Sequence, residues 1–363
     1  MLSRAGTAIR AQAAVFAQTG APPEVIRVRT TQLASDAASS LGADGVLVRM
    51  LAAPVNPSDL NQIEGTYPAK ARFADGLAAG GNEGVGEVLD VGSAVRDLRA
   101  GDWVVPQRAG EVGTWATHVL ARRAQLAPIP AEWRAGSVEP LHAATLRVNL
   151  STAYRLLHDF GALRPGDWVV QNAANSSVGR AVVQVARALG LRTLNVVRDL
   201  RDQPDRLARL TAELHALGAD AVVGESELIG ALRKLEQPAR LALNCVGGRA
   251  AGLLARALAP GAWLVTYGGM ARLPLALPTG PLVFGDVRAC GFWMNRWYEA
   301  RRDDDAERDA MWRWLLRLAA DGALQLPPME RVAWPGGLDE PAALDIVRRA
   351  VEWQAGAKRA FVF

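Results

Sequence analysis

Between Gly166 and Gly269 short apolar runs alternate with helical patterns, and no other feature of the chain restricts its fold as much. GDWVVQNA (Gly166–Ala173) reads as a buried strand after a Gly-Asp turn, and VGRAVVQVARALG (Val178–Gly190) as a helix stopped by Gly190. LRTLNVVRD (Leu191–Asp199) is a second strand and RLARLTAELHALGA (Arg206–Ala219) a second helix. AVVG, LALNCVGG and WLVTYGG continue as strands with helical segments between them. Strand and helix in such regular alternation predict an α/β fold with a doubly wound parallel sheet.

The residues before this region keep a different rhythm. GVLVRMLAAPV (Gly45–Val55), EGVGEVLDVG (Glu83–Gly92), GDWVVP (Gly101–Pro106) and GTWATHVLA (Gly113–Ala121) are strand patterns punctuated by Gly and Pro. With no long helix among them, they predict a small curled β domain. STAYRLLHDF (Ser151–Phe160) opens the helical part, with Ser151 or Thr152 as N-cap. From Ala300 a helix carrying Trp312, Trp314, Leu315 and Leu316 leads to PPMERVAW, another helix and a closing strand AFVF. At 363 residues the chain exceeds one ordinary core, so two domains are expected.

Composition excludes several function classes. Half the residues are apolar and 21% are charged, a soluble globular profile. No apolar run reaches the ~18 residues that span a bilayer. Cys245 and Cys290 are the only cysteines; they give neither a disulfide framework nor a C-x-x-C metal spacing, and they fit a reducing compartment. His118, His142, His158 and His215 show no metal-ligand spacing either. The net charge of +4 is spread over interleaved acids and bases, which argues against a nucleic-acid face. The first ten residues, MLSRAGTAIR, are basic and hydroxylated, and the chain stays free of acids to Gln18. Residues 1–10 therefore read as a short mitochondrial transit segment, or else as the ordinary start of a cytoplasmic bacterial protein.

QNAANSSVG (Gln171–Gly179) follows a buried strand and opens a helix, where a dinucleotide's pyrophosphate sits against helix N–H groups. The glycine fingerprint is incomplete: Asn172 stands where its first Gly would be, and Ser176-Ser177 replace a glycine pair. At the end of the next strand an NAD enzyme places an acid that accepts from the ribose 2′-OH. Here Arg198 comes first, a guanidinium suited to a 2′-phosphate, which favours NADPH. Asp199 follows at once, and as a ribose acceptor it would reverse that preference.

Taken together, VNPSDLNQIEGTYP, GGNEGVGEV, GDWVVP, LRVNLSTAYRLL, GDWVVQNAANSSVG, LRTLNVVRD, RLALNCVGG, VTYGGM and GFWMNRW resemble the mitochondrial trans-2-enoyl-thioester reductases. These are zinc-free, NADPH-dependent members of the medium-chain dehydrogenase/reductase superfamily, and the similarity runs from about Ala11 to Phe363. The resemblance implies a GroES-like β-rich catalytic domain, residues 11–152 and 299–363, split in sequence by a Rossmann domain, residues 153–298. It further implies a homodimer in the mitochondrial matrix that reduces enoyl-ACP or enoyl-CoA in fatty acid synthesis, with acyl carrier protein as a partner.

Zinc chemistry in that superfamily relies on Cys and His ligands. Here Asn56 and Ser58 in VNPSD stand in place of Cys, and Asn82 in GGNEGVG replaces the His, so no metal is expected. An α,β-unsaturated thioester activates itself: hydride arrives at Cβ, and the enolate needs a proton at Cα and oxyanion stabilisation. Tyr67 in EGTYP matches the family's catalytic Tyr, following the frame Ser58, Asp59, Asn61, Ile63 and Gly65. A phenol of ordinary pKa, about 10, is protonated at neutral pH. Tyr154, Tyr267 and Tyr298 are weaker rivals, Tyr154 being read as core.

The resemblance also carries over cofactor contacts. It matches Asn149 to a hydrogen-bonding position, and Asn175, Ser176, Ser177 and Val178 to the diphosphate turn. Arg198, Asp199 and Leu200 fall at the adenosine ribose, and Tyr267, Gly268, Gly269 and Met270 at the nicotinamide half. Phe292, Trp293, Met294 and Asn295 border the site as a short edge strand, with Trp293 near the acyl pocket; Lys358 is a further contact. Ser177 in place of Gly, and Leu200 in place of a basic residue, depart from the family pattern. Two other functions remain open, a quinone or alkenal reductase on the same scaffold and a non-catalytic NADPH-binding relative.

Overall fold

The computed structural model describes residues 8–34, 42–133, 138–200, 202–302, 304–352 and 358–363. Most of the proposed transit segment, residues 1–7, thus lies outside the described residues. The chain forms two compact units, residues 1–147 with 328–363, and residues 148–327.

The first unit is built on β strands. β1 (Ile9–Phe16), β2 (Arg27–Leu33), β3 (Gly45–Val55), β4 (Ala78–Ala79), β5 (Val85–Val91), β6 (Trp103–Pro106), β7 (His118–Arg122) and β8 (Leu126–Pro128) precede the crossing into the second unit. β1 lies between β2 and β4 in a three-stranded sheet. β3 and β5 form within the strand patterns read from sequence, and the two pair antiparallel with register shifts between Leu47 and Val48 and between Met50 and Ala52. Such irregularities increase local twist and help a small sheet curl.

In the second unit β9 (Trp168–Gln171), β10 (Arg192–Val197), β11 (Ala221–Gly224), β12 (Ala239–Asn244), β13 (Leu258–Thr266) and β14 (Arg288–Gly291) form a six-stranded sheet. The order is β11-β10-β9-β12-β13-β14, and every pairing is parallel. β9 is buried at all four positions because helices cover both faces. Trp168, Val170, Leu194, Ala242, Leu254 and Leu264 form one core layer, while Ala174, Val183, Val197 and Leu214 form the other. Strand order reverses between β9 and β12, and in such sheets ligands bind outside the strands' C-terminal ends at that point.

The first unit is completed by β15 (Met329–Ala333) and β16 (Lys358–Val362), which extend the large sheet on β3 to give the order β15-β16-β3-β5-β6-β8, with β7 also on β3. This return starts later than the 298/299 division expected from sequence. The helix Ala306–Ala320 stays in the second unit, where the Trp312 indole donates to Ser151 Oγ at 3.1 Å and Arg155 pairs with Glu307 at 2.7 Å. Ser151 therefore does not cap its helix. A π-helical turn, Leu146–Leu150, runs directly into the Ser151–His158 helix, leaving no fresh N-terminus to cap. Tyr154, read as core, is half-buried instead and stacks on His158 at 3.7 Å between ring centroids.

Candidate functional site

In the second unit the site begins with the turn after β9. Ser176 caps the Ser177–Ala188 helix, its Oγ accepting from Gly179 N at 3.1 Å. A Cβ on Gly179 would lie 2.6 Å from Ala173 O and 2.7 Å from Ala174 Cα, so only glycine lets the helix approach the turn so closely. Asn175 is exposed, while Ser176, Ser177 and Val178 are half-buried, at a helix start whose first N–H groups lack intrahelical acceptors. The three glycines of the usual fingerprint are thus reduced to one, with serine capping in place of a second.

Beneath this turn lies a ladder of side-chain amides that sequence reading missed. Gln171 Nε2 donates to Gly179 O at 2.9 Å and to Asn195 Oδ1 at 2.8 Å. Asn172 Nδ2 donates to Asn244 Oδ1 at 2.8 Å, and Asn244 Nδ2 to Thr266 Oγ1 at 3.1 Å. The ladder ties the C-terminal ends of β9, β10, β12 and β13 together. The available signal was a polar residue inside each apolar run: Gln171 after WVV, Asn195 in LNVV and Asn244 in LALN.

Arg198 stands exposed just beyond β10, and Leu200 is half-buried. The Asp199 carboxylate is directed to the turn after β11, where its Oδ1 accepts from Ser226 N at 3.2 Å and Ser226 Oγ at 3.1 Å. On the other side of the switch point, Tyr267 N donates to Asn244 O at 3.0 Å and Met270 N to Cys245 O at 3.0 Å, which holds Gly268 and Gly269 at the end of β13. The Tyr267 hydroxyl is buried beside the Cys245 thiol and the Ser176 side chain. Burial, together with the neighbouring Cys245 thiol, raises its pKa well above the usual phenol value, which makes Tyr267 a poor proton donor. Asn149 is buried on the π-helical turn.

Phe292–Asn295 are not the short edge strand expected from sequence. β14 ends at Gly291, Trp293 is an N-cap, and Met294 and Asn295 open the Met294–Ala300 helix. Phe292 N still donates to Thr266 O at 2.9 Å, but the following MNRWYEA has helix-forming residues and no further sheet partner.

In the first unit lies a buried polar cluster that includes Asn56 and Asn82, two of the residues expected from the resemblance to stand in place of zinc ligands. Asn56, Asp59, Gln62, Asn82 and Glu83 are all buried. Asn56 caps the Pro57–Ile63 helix, its backbone N donating to Asp59 Oδ2 at 2.8 Å while its Nδ2 donates to Glu83 Oε2 at 2.8 Å. Asp59 Oδ1 accepts from Asn82 N at 3.1 Å and from Asn82 Nδ2 at 2.7 Å. Lys358, brought in by β16, donates from Nζ to Asn56 Oδ1 at 2.8 Å. The glycines before Asn82 are required by Trp115: a Cβ on Gly81, at φ +87, would lie 2.5 Å from Trp115 Cδ1. This donor set does not fit zinc. Both asparagine amides are engaged with carboxylates, and an ammonium already supplies the local cation. Among the described residues no group of three or more His, Cys, Asp or Glu could hold a metal ion.

Tyr67 lies half-buried on the loop after this helix, its backbone N donating to Asn61 O at 3.0 Å. Sequence reading named Tyr67 and Lys358 but not the hydrogen bonds that run from Lys358 through Asn56, Asp59 and Asn82 to Gln62. The remaining predicted cofactor residues, Asn149 apart, gather along the C-terminal edge of the parallel sheet in the second unit.

Burial pushes the Asp59 carboxyl up to about 6, against the lowering effect of its hydrogen bonds and of Lys358. Burial brings Lys358 down to about 8, while Glu83 and Asp59 act to raise it. The raised Asp59 pKa means that the folded chain holds a proton which the unfolded chain releases first. The stability this group contributes is present below its unfolded value near 3.8 and is lost as pH rises through about 6. For Lys358 the unfolded chain binds the proton more tightly, so stability recovers between pH 8 and 10.5. A Lys358→Met variant should raise the Asp59 pKa further above 6, as followed by carbon NMR titration of the carboxyl. An unchanged or lower value would contradict the coupling.

Residues 42–131 match the family model described as Alcohol dehydrogenase GroES-like domain, and residues 177–314 the one described as Zinc-binding dehydrogenase. The chain is 46% identical over 289 residues to the enoyl-[acyl-carrier-protein] reductase, mitochondrial, of Caenorhabditis elegans, covering 79% of this chain and 78% of that one. It is similar to the mitochondrial 2-enoyl thioester reductase Etr1p/Etr2p heterodimer from Candida tropicalis, with a TM-score of 0.85 and 29% identity over 98% of this chain and 100% of the other. The Etr1p/NADP/crotonyl-CoA complex gives the same TM-score at 30% identity and the same coverage.

Proposed function

Because the chain belongs to the family of mitochondrial enoyl-[acyl-carrier-protein] reductases, we propose that it reduces the double bond of trans-2-enoyl thioesters with NADPH and that Tyr67 supplies the proton. The observation that carries this reading is the buried hydrogen-bond network in which Asp59 joins Asn56 and Asn82, two of the residues that stand where the resemblance expects zinc ligands, directly ahead of the Tyr67 loop. A site without a Lewis acid needs a substrate whose own carbonyl makes Cβ electrophilic, which a conjugated thioester provides.

NADPH supplies the hydride when bound. The residues present suit it. The Ser176 cap and the helix N–H groups at Ser177 and Val178 favour the diphosphate. Arg198 is exposed where a 2′-phosphate would stand, and the Asp199 carboxylate is turned toward Ser226. An ammonium has three donors, so Lys358 keeps others for the cofactor contact that the family implies. Tyr67 then delivers its proton to Cα as the enolate collapses, and the Tyr67→Phe variant loses the only group assigned to that step.

Relatives named mitochondrial support a matrix location, and their name supports acyl carrier protein as the carrier. The homodimer reading is supported by β14, the last strand of its sheet, and by Leu282, Val283 and the 90% exposed Phe284 nearby.

Tyr67→Phe should lower kcat for NADPH oxidation on crotonyl-CoA by about 10²–10⁴-fold while NADPH still binds. A variant as fast as the parent would leave the quinone or alkenal reductase standing, and a parent that binds NADPH without enoyl-dependent turnover would leave the non-catalytic relative. Arg198→Ala should weaken NADPH binding at least about tenfold, or ~1.4 kcal/mol, with NADH little changed; equal losses for both would remove its role. Phe284→Asp should shift the sedimenting species from dimer to monomer, and an unchanged dimer would place the interface elsewhere.

A further inference from the structure

Tyr67 is held from both sides. Before it, Asn61 O accepts from both Thr66 N at 2.9 Å and Tyr67 N at 3.0 Å. After it, Gln62 Nε2 donates to Ala69 O at 3.1 Å, two residues past the phenol and just beyond Pro68, whose ring already limits the backbone. The second tether belongs to a side chain that is 8% exposed, and its polarity is dictated from inside the unit.

The dictation starts at Asp59. Its Oδ1 accepts, so Asn82 must turn its NH₂ group inward, and that same Nδ2 also donates to Gln62 Oε1 at 3.0 Å. With its oxygen engaged by Asn82, Gln62 can present only its NH₂ to the Tyr67 loop, where a carbonyl waits. A histidine at position 82 committed to a metal could not orient the glutamine in this way.

We propose that Gln62, oriented by Asp59 through Asn82, is a positioning residue that clamps the Ala69 carbonyl and so fixes the loop carrying the Tyr67 phenol. The residue in the emptied metal position is thereby given a task in the reaction, which is to aim the proton donor. The proposal rests on the reading of Tyr67 as that donor.

Gln62→Glu separates the two halves of the clamp. As a carboxylate it still accepts from Asn82 but repels the Ala69 carbonyl; as a carboxylic acid it can donate to that carbonyl again. At pH ~8 its kcat on crotonyl-CoA should fall about 10–100-fold, the scale of a donor displaced by a fraction of an ångström to an ångström. Burial at this position raises the new carboxyl as it raises Asp59. Toward pH ~5 the acid therefore regains its proton and kcat should return to within about threefold of the parent measured at the same pH, a comparison in which protonation of Asp59 itself affects both proteins. Gln62→Met should lose as much at every pH and recover nowhere. For both variants the NADPH KM should stay within about twofold, because Gln62 acts through Tyr67. In a Tyr67→Phe background, Gln62→Met should cause no further loss of the residual rate, since the two residues then act as one unit.

Variants within about twofold of the parent across the pH range, or losses that multiply in the Tyr67→Phe background, would overturn the proposal. Recovery at low pH itself reports a folded protein, so misfolding cannot imitate the expected result. A Tyr67→Phe single variant with full activity would instead remove the donor assignment beneath it, an outcome visible before any Gln62 variant is made.

Discussion

Asp59, Glu83 and Lys358 share one buried region of the first unit, and burying charge is tolerable only in company. An ammonium there without its carboxylates, or the carboxylates without the ammonium, would shed or gain a proton. This requirement explains why the unit is discontinuous. The antiparallel register of β16 on β3 pairs Arg359 with Val55, which sets Lys358 beside Asn56. The C-terminal strand therefore delivers the one cation that the N-terminal cluster lacks. It is delivered by one of only three lysines in an arginine-rich chain. A lysine suits the position because its pKa can fall on burial, whereas a guanidinium would keep its charge and need a wider set of acceptors.

The second unit solves a related problem without charge. Its strands end at a switch point where backbone groups must stay available to a ligand, so the ends cannot be secured by further sheet pairing. Side-chain amides do this work: Gln171, Asn195, Asn172 and Asn244 bond one another across neighbouring strands. Each is nearly or fully buried, and Asn172, Asn195 and Asn244 have both donor and acceptor sides engaged, while Gln171 uses its donor side and keeps its Oε1 buried without a partner among the described residues. The turn above them can then dispense with two of the usual glycines, since Gln171 holds the Gly179 carbonyl from below.

The parallel sheet was legible because period and punctuation agree along its whole length: WVV, LNVV and LALN are apolar runs, and Gly190 and Gly218 end the helices before the next strands. The β unit was legible as strands but not as pairings, since nothing local in AFVF says that it returns to β3 across some three hundred residues. Helix ends were read less well where tertiary contacts overrode local chemistry. Ser151 looked like a cap, yet its hydroxyl accepts from Trp312, far along the chain. Phe292–Asn295 looked extended, yet beyond the Phe292 N–Thr266 O bond they have no strand partner among the described residues, and Met294 and Asn295 open a helix. Of the site, Arg198 stood out by its place at the end of a strand, and Tyr67 and Lys358 through the family resemblance. Asp59 was named only as part of the frame before Tyr67 and Gln62 not at all, because a buried amide or carboxylate declares its partner only when the chain is folded.

The charge of the first cluster also says what it does not do. Taken formally, Asp59, Glu83 and Lys358 sum to one negative charge, and Asp59 keeps its share of it against a burial that raises its pKa only with the help of its hydrogen bonds and of Lys358. A metal centre would present positive charge and draw an oxyanion toward itself; a net negative cluster would repel one. The groups standing in the metal's place thus have an electrostatic sign that cannot polarise a carbonyl, and activation must be carried by the substrate's own conjugation. What remains for these residues is orientation. A network whose hydrogen-bond polarity is fixed from Asp59 outward is rigid in the one respect that the proton donor proposed at Tyr67 requires, since the barrier to proton transfer depends on where a donor is held.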